Sequence, residues 1–169
     1  MKRTIALLAA LAAAMTLSLN GFSAEPDKPG TKLITLQGGY GPGFGAIVSG
    51  NIALTNLGKG HLYGGLLAGA NFRHGKVMDT NKMDLTLAPR LMLGWNLGRV
   101  VEMHLGGFAG ITAQRFDADR NQLVFSYAGF GGFRFNVSDS FALLLEGYYA
   151  YPSKFQHVPY GSAGFAFKF

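Results

Sequence analysis

The sequence predicts an all-β fold, an eight-stranded antiparallel up-and-down β-barrel that crosses a membrane. Three observations support this prediction. Apolar and polar side chains alternate with the period of two that strands require. The chain is apolar (49%) and rich in glycine, with 25 glycines in 169 residues. Beyond its N-terminal leader no apolar run is long enough for a membrane-spanning helix, so strands are the elements that would cross.

The N-terminus has the layout of a secretory signal peptide. Lys2 and Arg3 precede an unbroken apolar run at residues 5–15, and a more polar stretch follows. The run is too short to span a bilayer as a helix, so we expect it to be removed after export. Cleavage after Ala24 is expected, and cleavage after Ser23 is a close alternative.

This interpretation divides the chain into a signal peptide (1–24) and a barrel domain (25–169), of which residues 25–31 form a short periplasmic lead. The chain has no cysteine, so an exported domain must be held together by its core or its backbone pairing. Of the 15 Lys and Arg residues, 13 lie beyond the leader with nine acidic residues, a net charge of about +4. No basic cluster appears, so no nucleic-acid partner is predicted.

Eight segments of strand length follow the leader, at 32–40, 44–55, 61–73, 83–97, 100–115, 122–137, 140–152 and 158–169. The fourth shows the pattern most clearly. Asp84, Arg90 and Asn96 share one parity, whereas leucines and Trp95 share the other. A helix would scatter these polar residues, but a strand places them on one face.

The connections alternate in kind. One set is tight and rich in turn residues, at 56–60, 96–99 and 137–140; the other is longer and charged, at 74–82, 117–122 and 152–157, apart from a short first member at 41–43. Membrane barrels of bacteria have tight periplasmic turns at one rim and longer external loops at the other. The alternation therefore assigns each connection to a rim.

The last segment, "GSAGFAFKF", places Phe165, Phe167 and Phe169 on one face, alternating with Ala166 and Lys168. A closed barrel leaves no unpaired edge in lipid, so this strand must pair with the first and be apolar outside. It resembles the C-terminal assembly signal of bacterial outer-membrane barrels, which the barrel assembly machinery recognises. That machinery is therefore an expected partner during insertion.

The rest of the chain resembles, more generically, the small eight-stranded outer-membrane barrels of the outer-membrane-protein-A-like and opacity-like superfamily. The resemblance implies the outer membrane of a Gram-negative-type bacterium, with outer-membrane lipids as neighbours. The alternative is a soluble β-sandwich or a lipocalin-like barrel. Such a barrel would hide its apolar face inside, and this sequence has too many apolar faces for that.

The charged or titratable residues predicted to point into the lumen are Asp84, Arg90, Glu102, His104, Arg134, Glu146 and, near the periplasmic end, Lys168. The network is expected to consist of Arg90, Glu102, His104, Arg134 and Glu146. Counting from the tight turns places Arg90 and Glu146 near mid-barrel, and places Glu102 and Arg134 on consecutive strands at matching depth. Arginine suits such sites because its guanidinium can bind a carboxylate through two hydrogen bonds. We interpret the pairs as a structural filling, with a gated ion path, in which Arg90 and Glu146 exchange partners, as the alternative.

His104 shares the inward parity, and we interpret it as a hydrogen-bonded filler. No second His or Cys lies at metal-ligand spacing, so no metal or cofactor is predicted.

Catalysis is not predicted. An outer-leaflet lipid A deacylase or acyltransferase would need a nucleophile and a base at the external rim. His74, Ser126, Ser153 and His157 are available there, but none has a recognisable triad spacing. The His-x-Ser-Asn-type signature of lipid A deacylase barrels is absent. Ser153 and His157 share one predicted loop, and this possibility stays open.

The predicted function is structural or surface-associated, with a small pore and, less favoured, a lipid A-modifying enzyme as alternatives. The external connections have a slight basic excess that could contact lipopolysaccharide phosphates. It consists of Arg73, Lys76, Lys82, Arg115, Arg120 and Lys154 against Asp79, Asp117 and Asp119. An ordinary solvated rim is the alternative. Oligomeric state and specific ligand stay open.

Overall fold

The sheet closes on itself. The computed structural model describes residues 27–41, 43–75, 80–116, 121–152 and 158–169. These form eight strands: β1 (Lys32–Tyr40), β2 (Phe44–Leu57), β3 (Gly60–Gly75), β4 (Thr80–Asn96), β5 (Val101–Phe116), β6 (Asn121–Asn136), β7 (Phe141–Pro152) and β8 (Val158–Lys168). Each strand pairs with its neighbours in sequence and β1 pairs with β8, all antiparallel. The predicted fold is confirmed.

The predicted segments agree with the strands to within a few residues. The largest differences are at the external end of the β3–β4 hairpin, where the structure extends both strands toward each other. The pairing continues through His74 and Asn81 to Gly75 and Thr80. The charged composition of residues 74–82 predicted a loop, but residues 74–75 and 80–82 belong to the ladder between β3 and β4. The predicted signal peptide, residues 1–24, lies outside the described residues and stays a prediction.

The two faces of the barrel wall have opposite character. On β4, Leu87 is 63% exposed on the outside, whereas Arg90 is 2% exposed on the inside. Every strand places large apolar side chains outward, for example Ile34, Val48, Leu66, Leu87, Ile111, Phe125, Leu145 and Phe165. An exterior of this kind is stable in hydrocarbon and unfavourable in water. The lipocalin-like and sandwich alternatives are therefore excluded.

No helix among the described residues has the length and apolarity to cross a bilayer.

The last strand closes the barrel against the first. Ile34 is the register partner of Phe167. The Lys32 amide donates to the Phe169 carbonyl at 3.0 Å, and the Phe169 amide donates back to the Lys32 carbonyl at 3.0 Å. Phe165, Phe167 and Phe169 are all exposed on the outer face, as the sequence predicts. Recognition of this strand by an assembly machinery stays a prediction.

The predicted periplasmic lead does not extend freely away from the barrel. Gly30, with φ of 92°, turns the chain, and its amide donates to the Ala53 carbonyl at 2.8 Å. The Ala53 amide donates to the Thr31 carbonyl at 2.9 Å, so the lead binds the periplasmic end of β2. The β2–β3 register shifts between Ala53 and Thr55 at the same place. This fold returns Asp27 to the lumen, where it is buried.

Candidate functional site

The inner wall carries two groups of polar side chains at two depths. We call the first the mid-barrel cluster; it consists of Gln37, Arg90, His104, Glu146 and Tyr148. We call the second the periplasmic cluster; it consists of Asp27, Tyr63, Glu102, Arg134 and Lys168. All ten side chains are buried. The structure brings the predicted lumen residues Arg90, Glu102, His104, Arg134, Glu146 and Lys168 into these two clusters. Asp84, also predicted to point inward, is buried outside them, with its Oδ1 3.3 Å from Lys82 Nζ.

Glu146 is the centre of the mid-barrel cluster. Its Oε1 accepts hydrogen bonds from Arg90 Nη2 at 3.4 Å and from His104 Nε2 at 2.9 Å. Its Oε2 accepts from Gln37 Nε2 at 2.9 Å and from the Tyr148 hydroxyl. A carboxylate only accepts, so His104 carries its proton on Nε2 here. Four donors from four strands therefore converge on one buried carboxylate, which satisfies both of its oxygens.

Arg90 is held by more than its carboxylate partner. Its Nη1 donates to Ser49 Oγ at 3.1 Å, and Ser49 is hydrogen-bonded to Thr35 Oγ1 at 2.7 Å. The guanidinium lies over the Phe130 ring, 4.2 Å from its centroid. A cation over an aromatic face is favourable, and more so away from water. Arg90 thus connects β4 with β1, β2, β6 and β7 through the middle of the lumen.

The periplasmic cluster is organised around Arg134. Glu102 and Arg134 are register partners on β5 and β6, and Arg134 Nη2 lies 2.7 Å from Glu102 Oε2. The same Nη2 lies 2.5 Å from Asp27 Oδ2, while Lys168 Nζ lies 3.1 Å from Asp27 Oδ1. The Tyr63 hydroxyl lies 2.8 Å from Asp27 Oδ2 and 3.0 Å from Glu102 Oε2. Two carboxylates therefore face two cations, and the formal charges balance.

Sequence reasoning missed two members of this cluster, Tyr63 and Asp27. Burial opposes the ionisation of Asp27, but the neighbouring Arg134 and Lys168 outweigh burial and hold the pKa of Asp27 below its ordinary value of 3.8. One signal was present in the sequence. The inward residues Glu102, Arg134 and Lys168 leave one cation in excess near the periplasmic end, and an acid in the lead is available to compensate it.

Inward-facing glycines make room for these clusters. A Cβ at Gly94 would lie 2.7 Å from Glu102 Oε1. A Cβ at Gly106 would lie 2.4 Å from Phe130 Cζ, the ring that supports Arg90. Both distances are too short for a carbon atom, so a side chain at either position would displace its neighbour. The lumen is packed closely at both depths.

Of the residues considered for catalysis, only Ser126 has a side chain that the structure describes, and it is buried on the inner face of β6. The side chain of His74 lies outside the described part of the chain, as do Ser153 and His157. Among the described residues, no three His, Cys, Asp or Glu side chains gather as metal ligands would.

Comparisons with known proteins agree on the architecture. No protein-family model matches the chain, and no curated protein matches it. Solved structures do match. The N-terminal β-barrel domain of Pseudomonas aeruginosa OprF has a TM-score of 0.63 at 12% identity, covering 85% of this chain and 100% of that one. The chain has the fold of small outer-membrane barrels.

Two further barrels support the same conclusion. Neisserial surface protein A matches with a TM-score of 0.58 at 15% identity, covering 82% of this chain and 95% of that one. Ail, the attachment invasion locus protein of Yersinia pestis, matches with a TM-score of 0.55 at 15% identity, covering 84% and 100%. At these identities the likeness concerns the fold.

Proposed function

We propose that the protein is an integral outer-membrane β-barrel whose lumen is closed by its own side chains, with a structural or surface-interaction role and no catalysis. The observation that supports this proposal best is the arrangement of two charge-balanced, buried clusters, one above the other, across the full width of the lumen. Any ion path through the barrel would have to pass both.

Size and chemistry both favour a closed lumen. An eight-stranded barrel has an interior that its own side chains fill. Here the rings of Phe130 and Tyr148 lie in the mid-barrel layer, with centroids 5.3 Å apart, and Tyr63 lies in the periplasmic layer. Opening a path would separate buried opposite charges, and leaving one charge without its partner in such a site is strongly unfavourable.

A gated pore is the second candidate, because Glu146 Oε1 is shared by Arg90 and His104. If Arg90 moved away, His104 would still bind the carboxylate, so an exchange of partners is chemically available. The filling rings of Phe130 and Tyr148 would have to move as well, which makes this candidate the weaker one.

Ion efflux from lipid vesicles distinguishes the two candidates. We expect refolded wild-type barrel and the Glu146→Gln variant both to retain entrapped potassium, because the glutamine keeps the shape and the rings still fill the lumen. Leu145→Ala, on the lipid side of the same strand, is the matched control. Efflux through the wild type that changes in Glu146→Gln, but not in Leu145→Ala, would favour the gate.

Lipid contact forms part of the proposal. The exposed apolar exterior fits hydrocarbon, and at the external rim Arg115 is exposed while Lys82 is partly exposed beside Asp84 at 3.3 Å. A basic rim at headgroup level favours anionic headgroups such as those of lipopolysaccharide. The test is whether vesicles that contain lipopolysaccharide retain the barrel. We expect the Arg115→Gln substitution to weaken this retention at low salt.

The absence of catalysis is tested separately. We expect the lipid A mass spectrum of cells expressing the barrel to match that of cells carrying the empty vector. A loss or gain of one acyl-chain mass would contradict the proposal and would direct attention to Ser153 and His157.

A further inference from the structure

The outer wall formed by β4, β5 and β6 carries a groove of about 280 Å³ near the external rim. Its outward-facing lining consists of Met83, Leu85, Ala113, Arg115, Asn121 and Leu123. Leu85 and Leu123 are 47% and 75% exposed. Ala113 lies between them in the register of the three strands, so its short side chain leaves a depression between two leucines. The lower part of the groove is therefore apolar.

Two polar side chains form the external end of this groove. Arg115 on β5 and Asn121 on β6 are register partners, and both are exposed on the outer face. The Cβ atoms of such partners lie about 5 Å apart, so the guanidinium and the amide can donate to one common acceptor. The acidic residues of these three strands, Asp84 and Glu102, are buried in the lumen and do not neutralise Arg115 on the outer face.

The position of Arg115 along β5 matches the level of the lipid headgroups. At the periplasmic end of β5, Met103 is the register partner of both Trp95 and Phe133. With about 3.4 Å per residue and a strand tilt of about 40°, the stretch from Met103 to Arg115 spans about 30 Å along the membrane normal. The apolar band of such barrels is about 25 Å tall. Arg115 therefore lies just beyond the hydrocarbon, where phosphate groups are found.

We propose that the groove binds one lipid A molecule of outer-leaflet lipopolysaccharide, with a phosphate on Arg115 and Asn121 and the upper part of one acyl chain over Ala113. The inference rests on the proposed function, because it names the site of the lipid contact proposed there. The chain lies directly below the phosphate, since the row of Ala113 is about 7 Å from the row of Arg115.

The chemistry of the phosphate favours lipid A over other membrane lipids. A phosphate monoester carries about 1.5 to 2 negative charges at neutral pH, more than the diester of a glycerophospholipid. Arg115 therefore attracts a monoester more strongly. An acyl chain gains no hydrophobic free energy when it moves from other chains to the groove, so the groove contributes only van der Waals contacts. We expect the charge to contribute more affinity than the groove.

Two pairs of variants separate the charge from the groove. Ala113→Leu fills the depression, and Ala109→Leu is its matched control, because Ala109 is exposed on the outer face of the same strand but deeper in the membrane. Arg115→Gln removes the charge at the external end. Arg99→Gln is its matched control, because Arg99 is exposed at the tight turn between β4 and β5 on the opposite rim.

The experiment is native mass spectrometry of the full refolded barrel, titrated at low salt with bisphosphorylated, hexa-acylated lipid A in detergent micelles. We expect one lipid A molecule to bind saturably. Arg115→Gln should weaken binding about fivefold and Ala113→Leu about threefold, whereas both control variants should bind as the wild type does. Lipid A without its phosphates should bind weakly, and equally to the wild type and to Arg115→Gln. Inorganic phosphate at the same concentration should not displace lipid A.

Three results would overturn the proposal: no saturable binding of lipid A, unchanged binding by Ala113→Leu, or an equal loss in Arg99→Gln, which would indicate a general effect of net charge. A loss in Arg115→Gln alone would remove the groove and leave the headgroup contact of the proposed function intact. If Ala113→Leu does not refold, Ala113→Val replaces it with the same expectation. Ion efflux and the lipid A mass spectrum test the closed, non-catalytic barrel independently of this site.

Discussion

Glu146 on β7 and Arg90 on β4 lie 3.4 Å apart across the lumen, between Oε1 and Nη2, although their strands are not neighbours in the sheet. Backbone pairing holds each strand to the next, whereas this contact joins opposite parts of the wall. Both side chains are only 1% exposed. The mid-barrel cluster therefore links strands that do not pair in the sheet, and the energetic coupling between Arg90 and Glu146 can be measured.

The first prediction concerns that coupling. Arg90→Met and Glu146→Gln should each destabilise the barrel by about 3 kcal/mol, because each leaves a buried charge without its partner. The double variant should cost less than the sum, with an interaction energy of about 1–3 kcal/mol. Urea unfolding followed by the fluorescence of the single tryptophan, Trp95, measures this.

The control for this cycle is a pair on the lipid side of the same strands, Leu91→Ala and Leu145→Ala, whose effects should add. If the losses of stability caused by the Arg90 and Glu146 substitutions were additive, the contact between these residues would contribute no coupling energy.

The second prediction concerns pH. The pKa of Asp27 is lower in the folded barrel than its ordinary value of 3.8, so its contribution to stability is present above that pH and is lost as the pH falls through the lower folded-state pKa. Asp27→Asn should cost about 1–3 kcal/mol at neutral pH, since Arg134 and Lys168 then face one carboxylate. The difference from wild type should shrink below pH 3.8. A difference that stays constant with pH would contradict the account.

The third prediction concerns packing in the lumen. Gly106→Ala should destabilise the barrel by about 1–3 kcal/mol, because the added methyl group would overlap Phe130 Cζ and the Leu91 carbonyl oxygen, both 2.4 Å away. Gly129→Ala, on the outer face of β6, meets nothing within 4 Å and should change stability by less than about 0.5 kcal/mol. Equal losses of stability in the two variants would mean that the side chains in the lumen are packed less closely than described.

The fourth prediction concerns insertion. Phe169 is exposed to lipid while its backbone closes the β1–β8 seam, so Phe169→Ala should leave refolding in detergent nearly unchanged. We expect the amount inserted in the outer membrane of cells to fall severalfold, as it should if this residue is part of an assembly signal. Phe133→Ala, another exposed outward aromatic, is the control. An equal decrease for both variants would indicate a general loss of apolar surface.

Local pattern predicted most of the fold and part of the site. The period of two placed Arg90 and Glu146 inside, and the tight turns gave Glu102 and Arg134 the same depth, because register follows from the turn. The width of the lumen and the side-chain rotamers decide which side chains meet across it. The alternation of residues along a strand specifies neither of them. The insertion of Asp27 depends on the lead returning to Ala53, a contact between distant parts of the chain. An apolar cavity of about 100 Å³, whose walls include Leu67 and Phe108, likewise requires residues from several strands.

The central claim is that side chains close the lumen, and single-channel recording of the wild-type barrel in a planar bilayer tests it most directly. We expect no channel current and no steady ohmic steps at either polarity, because the two clusters lie one above the other across the whole interior. Reproducible, long-lived openings with a linear current–voltage relation would contradict it.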